Sequence, residues 1–372
     1  MNKFLMFIVV IAIISCNKTT NKTKSNNNTP PNSVSQTETL LKNLFSLREK
    51  GYLFGHQDDT LYGIGWEGDD DRSDVKSVCG DYPALIGFDI GDIELDSTKN
   101  LDKVPFDKIR KAIIDQYNRN GLVTISWHAN NPATGGNCNS IDANGNSAIA
   151  SILPNGKNYN TFQQRLSKVA AFLQSLKTEN GTAIPIILRP WHEHTGNWFW
   201  WGQNSCSKEE YIALWRMTHN YLDSKGLNNI IYAYSPDIRE NYMERYPGDE
   251  YVDILGLDLY QFGIEGRKNY LEKLHKKLTE IKKLGEKHHK LIALTETGCE
   301  GIPDANWWTD TLKPLLDEYP LSYVMVWRNA REKPEHFYVP YPGQDSEADF
   351  VSFYNAPNTL FIKNLPKIYD PI

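Results

Sequence analysis

The sequence predicts an α/β protein folded as a single (β/α)8 barrel. Short apolar runs rich in Ile, Val and Tyr recur eight times, amphipathic helical stretches lie between them, and no shift in composition divides this part of the chain. Such alternation over roughly 300 residues suits a barrel better than two ordinary domains. Most of the runs are continuous and do not alternate strictly, as expected of strands buried on both faces. A doubly wound sheet is the structural competitor. It usually carries a glycine-rich phosphate loop after its first strand, whereas the first run here leads into Gly55-His56-Gln57-Asp58.

Taken in order, residues 1–15 combine Lys3 with eleven consecutive apolar residues, Phe4 to Ile14. A membrane-spanning helix needs about 20, so the segment is expected to be a secretory signal peptide. Its end, Ile13-Ile14-Ser15-Cys16, resembles the lipobox of bacterial lipoproteins, which implies lipidation of Cys16. The expectation is export and a lipid anchor, on the periplasmic face or the cell surface of a Gram-negative bacterium. Residues 17–36 are nearly all Asn, Thr, Lys, Ser and Pro. They have too little apolar surface to fold and are expected, with Cys16, to form a flexible tether over 16–36. The barrel domain is then 37–372.

Within it the expected strands are Tyr52–Gly55, Leu85–Ile90, Leu122–Trp127, Pro185–Pro190, Ile230–Ser235, Val252–Tyr260, Leu291–Thr295 and Tyr323–Trp327. The clearest helices are Phe106–Tyr117, Thr161–Lys177, Lys208–Ser224 and Lys268–His289. The last carries Leu271, Leu274, Leu278, Ile281 and Leu284 at helical spacing, with Lys and Glu elsewhere. Trp307–Tyr319 and Ala348–Tyr354 are weaker. The Gly-, Asn- and Pro-rich stretch between Asn130 and Asn160 reads as a long loop.

Charge and composition narrow the function. The chain has 46 acidic and 40 basic side chains, a net charge of −6, and removal of 1–15 would make it 39 − 46 = −7. This argues against nucleic acid as a partner, because phosphate binding needs a basic patch. The 44 aromatic residues, the sum of 14 Phe, 10 Trp and 20 Tyr, call for an explanation. If Cys16 carries lipid, Cys79, Cys138, Cys206 and Cys299 remain. An exported protein can pair them, but spacing leaves the connectivity open.

In a barrel, chemistry sits where strands end and βα loops begin. Those ends hold His56 and Asp58; Asp89 and Asp92; Trp127-His128-Ala129-Asn130; Arg189-Pro190-Trp191-His192-Glu193; Asp237; Asp258-Leu259-Tyr260; Thr295-Glu296-Thr297; and Trp327-Arg328-Asn329. Any one of these has a structural explanation, but eight coincident polar ends point to a site. Glu193 and Glu296 each follow a buried apolar strand, where a carboxylate is costly unless paired. Two such carboxyls facing each other can divide the roles of acid and nucleophile, as in glycoside hydrolysis. Aromatics suit the same substrate, because flat indoles cover the apolar faces of sugar rings. Within Trp198-Phe199-Trp200-Trp201, Phe199 and Trp200 are expected to be core. Trp127, Trp198, Tyr260 and Trp327 are expected to line the sugar site.

The run Arg189-Pro190-Trp191-His192-Glu193-His194-Thr195-Gly196-Asn197-Trp198-Phe199-Trp200-Trp201-Gly202 resembles the acid/base motif of glycoside hydrolase family 26, mostly endo-β-1,4-mannanases. Thr295-Glu296-Thr297-Gly298 resembles its nucleophile motif. Gly55-His56-Gln57, Trp127-His128, Asp258-Leu259-Tyr260 and Trp327-Arg328 also match family positions, and the similarity spans Thr39 to Asn355. The resemblance implies a retaining barrel enzyme with Glu193 as acid/base and Glu296 as nucleophile. It implies that His192 sits beside the acid/base as a substrate-binding residue, that His128, Trp198, Tyr260 and Trp327 line the subsite where the bond breaks, and that Arg328 reaches the next sugar on the non-reducing side. Asp258 would orient its neighbours, and Asn130 and His56 are further candidates. No metal or cofactor is required.

The expected substrate is mannan, glucomannan or galactomannan, with release of mannobiose an open variant. Mixed-linkage β-glucan, β-1,3-xylan and a non-catalytic surface glycan-binding lipoprotein are the alternatives. A metal-dependent hydrolase using His56, His128, His192 and Asp258 is a rival, but no strand end carries a recurring ligand spacing. Nothing specifies an oligomer, and a monomer is expected.

Overall fold

The computed structural model describes residues 35–142, 144–239 and 241–372; the signal segment and Cys16 lie outside the described residues. Eight parallel strands form the barrel: β1 (Tyr52–Gln57), β2 (Leu85–Asp89), β3 (Leu122–Ser126), β4 (Ile186–Arg189), β5 (Ile230–Tyr234), β6 (Ile254–Gln261), β7 (Leu291–Cys299) and β8 (Tyr323–Val326). Neighbours follow chain order, and β8 closes on β1 through Leu53 opposite Tyr323 and His56 opposite Val326. All eight expected strands are present.

Two apolar layers explain the continuous runs. Leu53, Ile187, Ile231, Ile254, Ala293 and Met325 form one buried cluster inside the barrel. Phe54, Ile86, Ile125, Leu188, Leu257, Leu294 and Val326 belong to another, between the strands and the surrounding helices. Residues of both parities are therefore buried. The interior cluster also contains Leu40, Leu44 and Leu47 of the helix Gln36–Leu47, which caps the barrel at the ends where its strands begin.

The helices Phe106–Asn118, Tyr159–Gln174, Lys208–Ser224 and Arg267–His288 fall where periodicity put them. Three expectations need correction. The helix Gln36–Leu47 was not anticipated, and with its cap Ser35 it takes in the last two residues of the expected tether, the rest of which lies outside the described residues. Its start is fixed by a capping box, in which Ser35 Oγ accepts from Glu38 N and Glu38 Oε2 accepts from Ser35 N, both at 3.1 Å. The stretch after Asn130 is not all loop, because it contains the short helix Ala148–Ile152. The segment from Trp307 opens with a π-helical turn to Leu312 and continues as an α-helix only to Leu316. No helix among the described residues is long and apolar enough to cross a membrane.

Candidate active site

Glu193 and Glu296 face each other at the ends of β4 and β7. Together with Asp258 of β6 they offer carboxylate oxygens that all lie within 4.8 Å of one another. Among the described residues this is the one acidic cluster compact enough to gather round an ion. Two of its members are already held by an internal cation. Arg189, buried at the end of β4, donates to Asp258 Oδ2 at 2.8 Å, to Ser235 Oγ at 3.0 Å and, through its other terminal nitrogen, to Glu296 Oε1. The planar guanidinium suits two carboxylates at once. Tyr260 supplies the second donor to the nucleophile candidate, at 2.6 Å from Glu296 Oε2. Burial and Glu296 push the Tyr260 hydroxyl well above its ordinary pKa, so it remains a donor.

The two glutamates therefore have unequal surroundings. Glu296 receives a guanidinium and a phenol. Glu193 receives one hydrogen bond, from Trp198 Nε1 at 2.6 Å. Burial, then the charges of Glu296 and Asp258, raise the Glu193 carboxyl well above the usual range. This is how one of two neighbouring carboxyls comes to keep its proton.

A bulge in β7 aims the nucleophile candidate. Leu257 of β6 pairs with Leu294, but the next residue, Asp258, pairs with Glu296; on the other side Val324 and Val326 meet Leu294 and Thr297. Simple alternation from inward Ala293 would turn Thr295 inward and Glu296 outward. The extra residue lets both face the lumen, where Thr295 Oγ1 donates to Asp258 Oδ1 at 2.6 Å.

Glu193 is set by a tight turn in which Trp191 (φ 53°) and Glu193 (φ 51°) both lie in the left-handed region. This strains side-chain-bearing residues by about 1–3 kcal/mol each. The turn is held by packing. Trp191 is fully buried against Trp127, Phe162, Trp200 and Trp201 and donates to Thr218 Oγ1 at 3.1 Å. His194 is a structural histidine, bonded at both ring nitrogens to Tyr211 and Tyr234 at 2.9 Å.

The imidazoles of His128 and His192 meet edge-on, Nε2 to Nε2 at 3.2 Å. Asp89 fixes the other end of His128, with Oδ2 2.7 Å from Nδ1, and itself accepts from Ser126 Oγ and Gly91 N. Burial disfavours the charged form of both rings. The Asp89 carboxylate overcomes this at His128, whose pKa is raised. At His192 burial acts with Arg189 and His128, and its pKa falls well below the ordinary value.

Of the expected site residues, the structure brings together Glu193, Glu296, Asp258, Tyr260, Trp198, His128 and His192. Trp327 stands beside His128, with ring centroids 6.2 Å apart. Arg328 is tied to Asp102 at 3.2 Å and Glu332 at 2.8 Å, over the Tyr62 ring. Trp127 is not part of the site. It is buried in the outer layer and donates to Glu94. His56 points outward too and pairs with Asp59 at 2.8 Å. Asn130 is a scaffold residue held by Asp92 and Glu94. Of the ligands of the rival metal reading His128 and His192 meet, but the four form no common cluster among the described residues, and Phe199 and Trp200 are core as expected. Cys79, Cys138, Cys206 and Cys299 are all free thiols. Sequence reasoning left Arg189, Asp89 and Thr295 without roles. The available signal was a charge closing an otherwise apolar strand, Arg189 in one case and Asp89 in another.

Comparison with known proteins bears on the fold and the family. The family model of glycosyl hydrolase family 26 matches residues 29–337. A mannan endo-1,4-beta-mannosidase of Bifidobacterium adolescentis is 33% identical over 355 residues, covering 88% of this chain and 35% of that protein. The chain thus spans about a third of that relative's length. A Bacillus subtilis enzyme of the same name is 28% identical, with 74% and 73% covered. A solved structure described as a GH26 beta-mannanase from Bacteroides ovatus is 53% identical with a TM-score of 0.88, covering 91% of this chain and 98% of that one. The barrel, the placement of the two glutamates and these likenesses lead to one conclusion: the chain belongs to glycosyl hydrolase family 26.

Proposed function

We propose that the protein is a retaining endo-acting glycoside hydrolase that cleaves β-1,4-mannosidic bonds in mannan, glucomannan or galactomannan. The observation that carries this reading is the unequal pair, Glu193 and Glu296, with carboxylate oxygens within 4.8 Å. Retaining enzymes separate their carboxyls by about 5–5.5 Å, whereas inverting ones leave about 6.5–9.5 Å for a water. Glu193, holding its proton, gives it to the glycosidic oxygen as the bond to the leaving sugar breaks. Glu296, held by Arg189 and Tyr260, attacks the anomeric carbon. Glu193, now ionised, takes a proton from water, which attacks the same carbon and releases Glu296.

The choice of mannan follows the relatives' names. Digestion of linear mannan, galactomannan and mixed-linkage glucan, with products sized over time, tests it. Cleavage of the mannans with retention of configuration is expected; action on glucan alone would overturn it. The same time course separates a ladder of products from a mannobiose series. Glu296→Ala should abolish hydrolysis and leave oligosaccharide binding. Glu193→Ala should spare an activated aryl mannoside far more than polymer, because a good leaving group needs no proton. Anchoring through Cys16 is a further proposal, supported by Ile13-Ile14-Ser15-Cys16. Cys16→Ala should release the protein from the membrane fraction.

A further inference from the structure

We propose that Phe262 is a binding platform for the sugar ring on the leaving-group side of the scissile bond, an inference that rests on the glycosidase reading above. Among the described residues, the exposed large apolar side chains are Leu95, Leu101, Ile141, Trp198, Phe262, Ile264 and Ile372. All but Ile372 lie on loops that follow barrel strands, on the face that carries the carboxylates. Phe262 is the most exposed, at 80%. An apolar ring so placed is the surface that a pyranose face would cover.

Its position follows from β6. Along this strand Asp258 and Tyr260 turn toward the lumen, where they meet Arg189 and Glu296. Gln261 turns outward and accepts from the buried indole of Trp307 at 3.0 Å. Phe262 follows directly on the end of the strand, two residues and about 7 Å beyond Tyr260, roughly one sugar ring past a residue that touches the nucleophile. The proton donor must reach the glycosidic oxygen, so the leaving sugar passes Glu193 and its partner Trp198, both in the loop after β4. Phe262, directly after β6, stands two strands round the barrel from them, and we place it at that exit. Arg328, Tyr62 and Asp102 follow β8, β1 and β2, on the opposite arc of the barrel.

The loop is also pinned. Gln261 Nε2 donates to Gly263 O at 2.9 Å, Gly263 takes a left-handed φ of 67°, and Arg267 donates to Asp310 O at 2.6 Å while pairing with Asp304. A ring presented by so fixed a loop loses little freedom on binding.

The test compares two substrates with the full chain. Linear β-1,4-mannohexaose has a leaving sugar; a β-mannobiosyl fluoride has no leaving-group ring. Phe262→Ala should lower kcat/KM for the hexaose about 10-fold and leave the fluoride within about twofold, while Phe262→Trp keeps hexaose activity. Unchanged hexaose kinetics would overturn the platform. An equal fall on both substrates would do so too, by showing a structural effect. If the wild-type protein hydrolyses neither substrate, the glycosidase reading itself fails, an outcome distinct from either.

Discussion

At the scale of single residues, chemistry is set by who donates to whom. Glu193 gains one indole N–H, while Glu296 gains a guanidinium and a phenol. The raised Glu193 pKa has two consequences of known sign. The acid form is required for the first step, so polymer hydrolysis should fall as pH rises through that pKa. A carboxyl that binds its proton more tightly folded than unfolded makes stability fall as pH rises above the unfolded value of about 4.3. Glu193→Gln should therefore lose hydrolysis and also flatten that fall, which melting temperatures at several pH values would measure. An unchanged slope would contradict the assignment. Asp89 invites a second test. Asp89→Asn removes the charge that offsets burial at His128, so its imidazole should titrate at lower pH by NMR, with kcat/KM down about tenfold. His128→Ala should mask most of that kinetic effect if Asp89 acts through His128. The sequence named Glu193, Glu296 and their aromatic neighbours because each sits flush with a strand end. It could not separate Trp127 from Trp198, since both lie in the segments beyond strand ends and only the three-dimensional packing buries one of them.

At the scale of elements, the bulge in β7 matters most. Deleting Thr295 would restore regular pairing and lower Glu296 by about one residue rise, 3.3 Å, against β6. Misplacement by about 1 Å can cost on the order of 100-fold, so the deletion should remove at least that much activity while the far-ultraviolet circular dichroism stays that of the parent. Retained activity would mean that the bulge is incidental. Gly256 belongs to the same device. A Cβ there would lie 2.6 Å from the Thr295 side chain and 2.9 Å from Ser235, so the barrel leaves room for none. The strands and most helices were legible because their periodicity reports burial directly. The bulge was not, because an extra residue in an apolar run leaves the pattern of residue types unchanged. The first helix was marked by Ser35 and Glu38, yet it sits at the edge of a polar stretch whose composition masked that signal.

At the scale of the whole molecule, the barrel is closed at one end by Leu40, Leu44 and Leu47 and open at the other to the loops that hold the site. Leu44→Ala should cost about 2–5 kcal/mol of stability with little change in kcat/KM, since it acts at the end remote from the carboxylates. With four free thiols and no cross-link among the described residues, reductant should leave the melting temperature unchanged, a result calorimetry can check. The sequence by itself determined the eightfold rhythm, the strand-end clustering of polar groups and the motifs carrying both glutamates, because these are local patterns of burial and residue type. Only the tertiary structure decided that Glu296 faces inward, that Arg189 bridges it to Asp258, and that Trp127 serves the core. Each depends on register and on partners up to about a hundred residues away in the chain, and free energies of pairing across strands leave no mark in the spacing of residues along one of them.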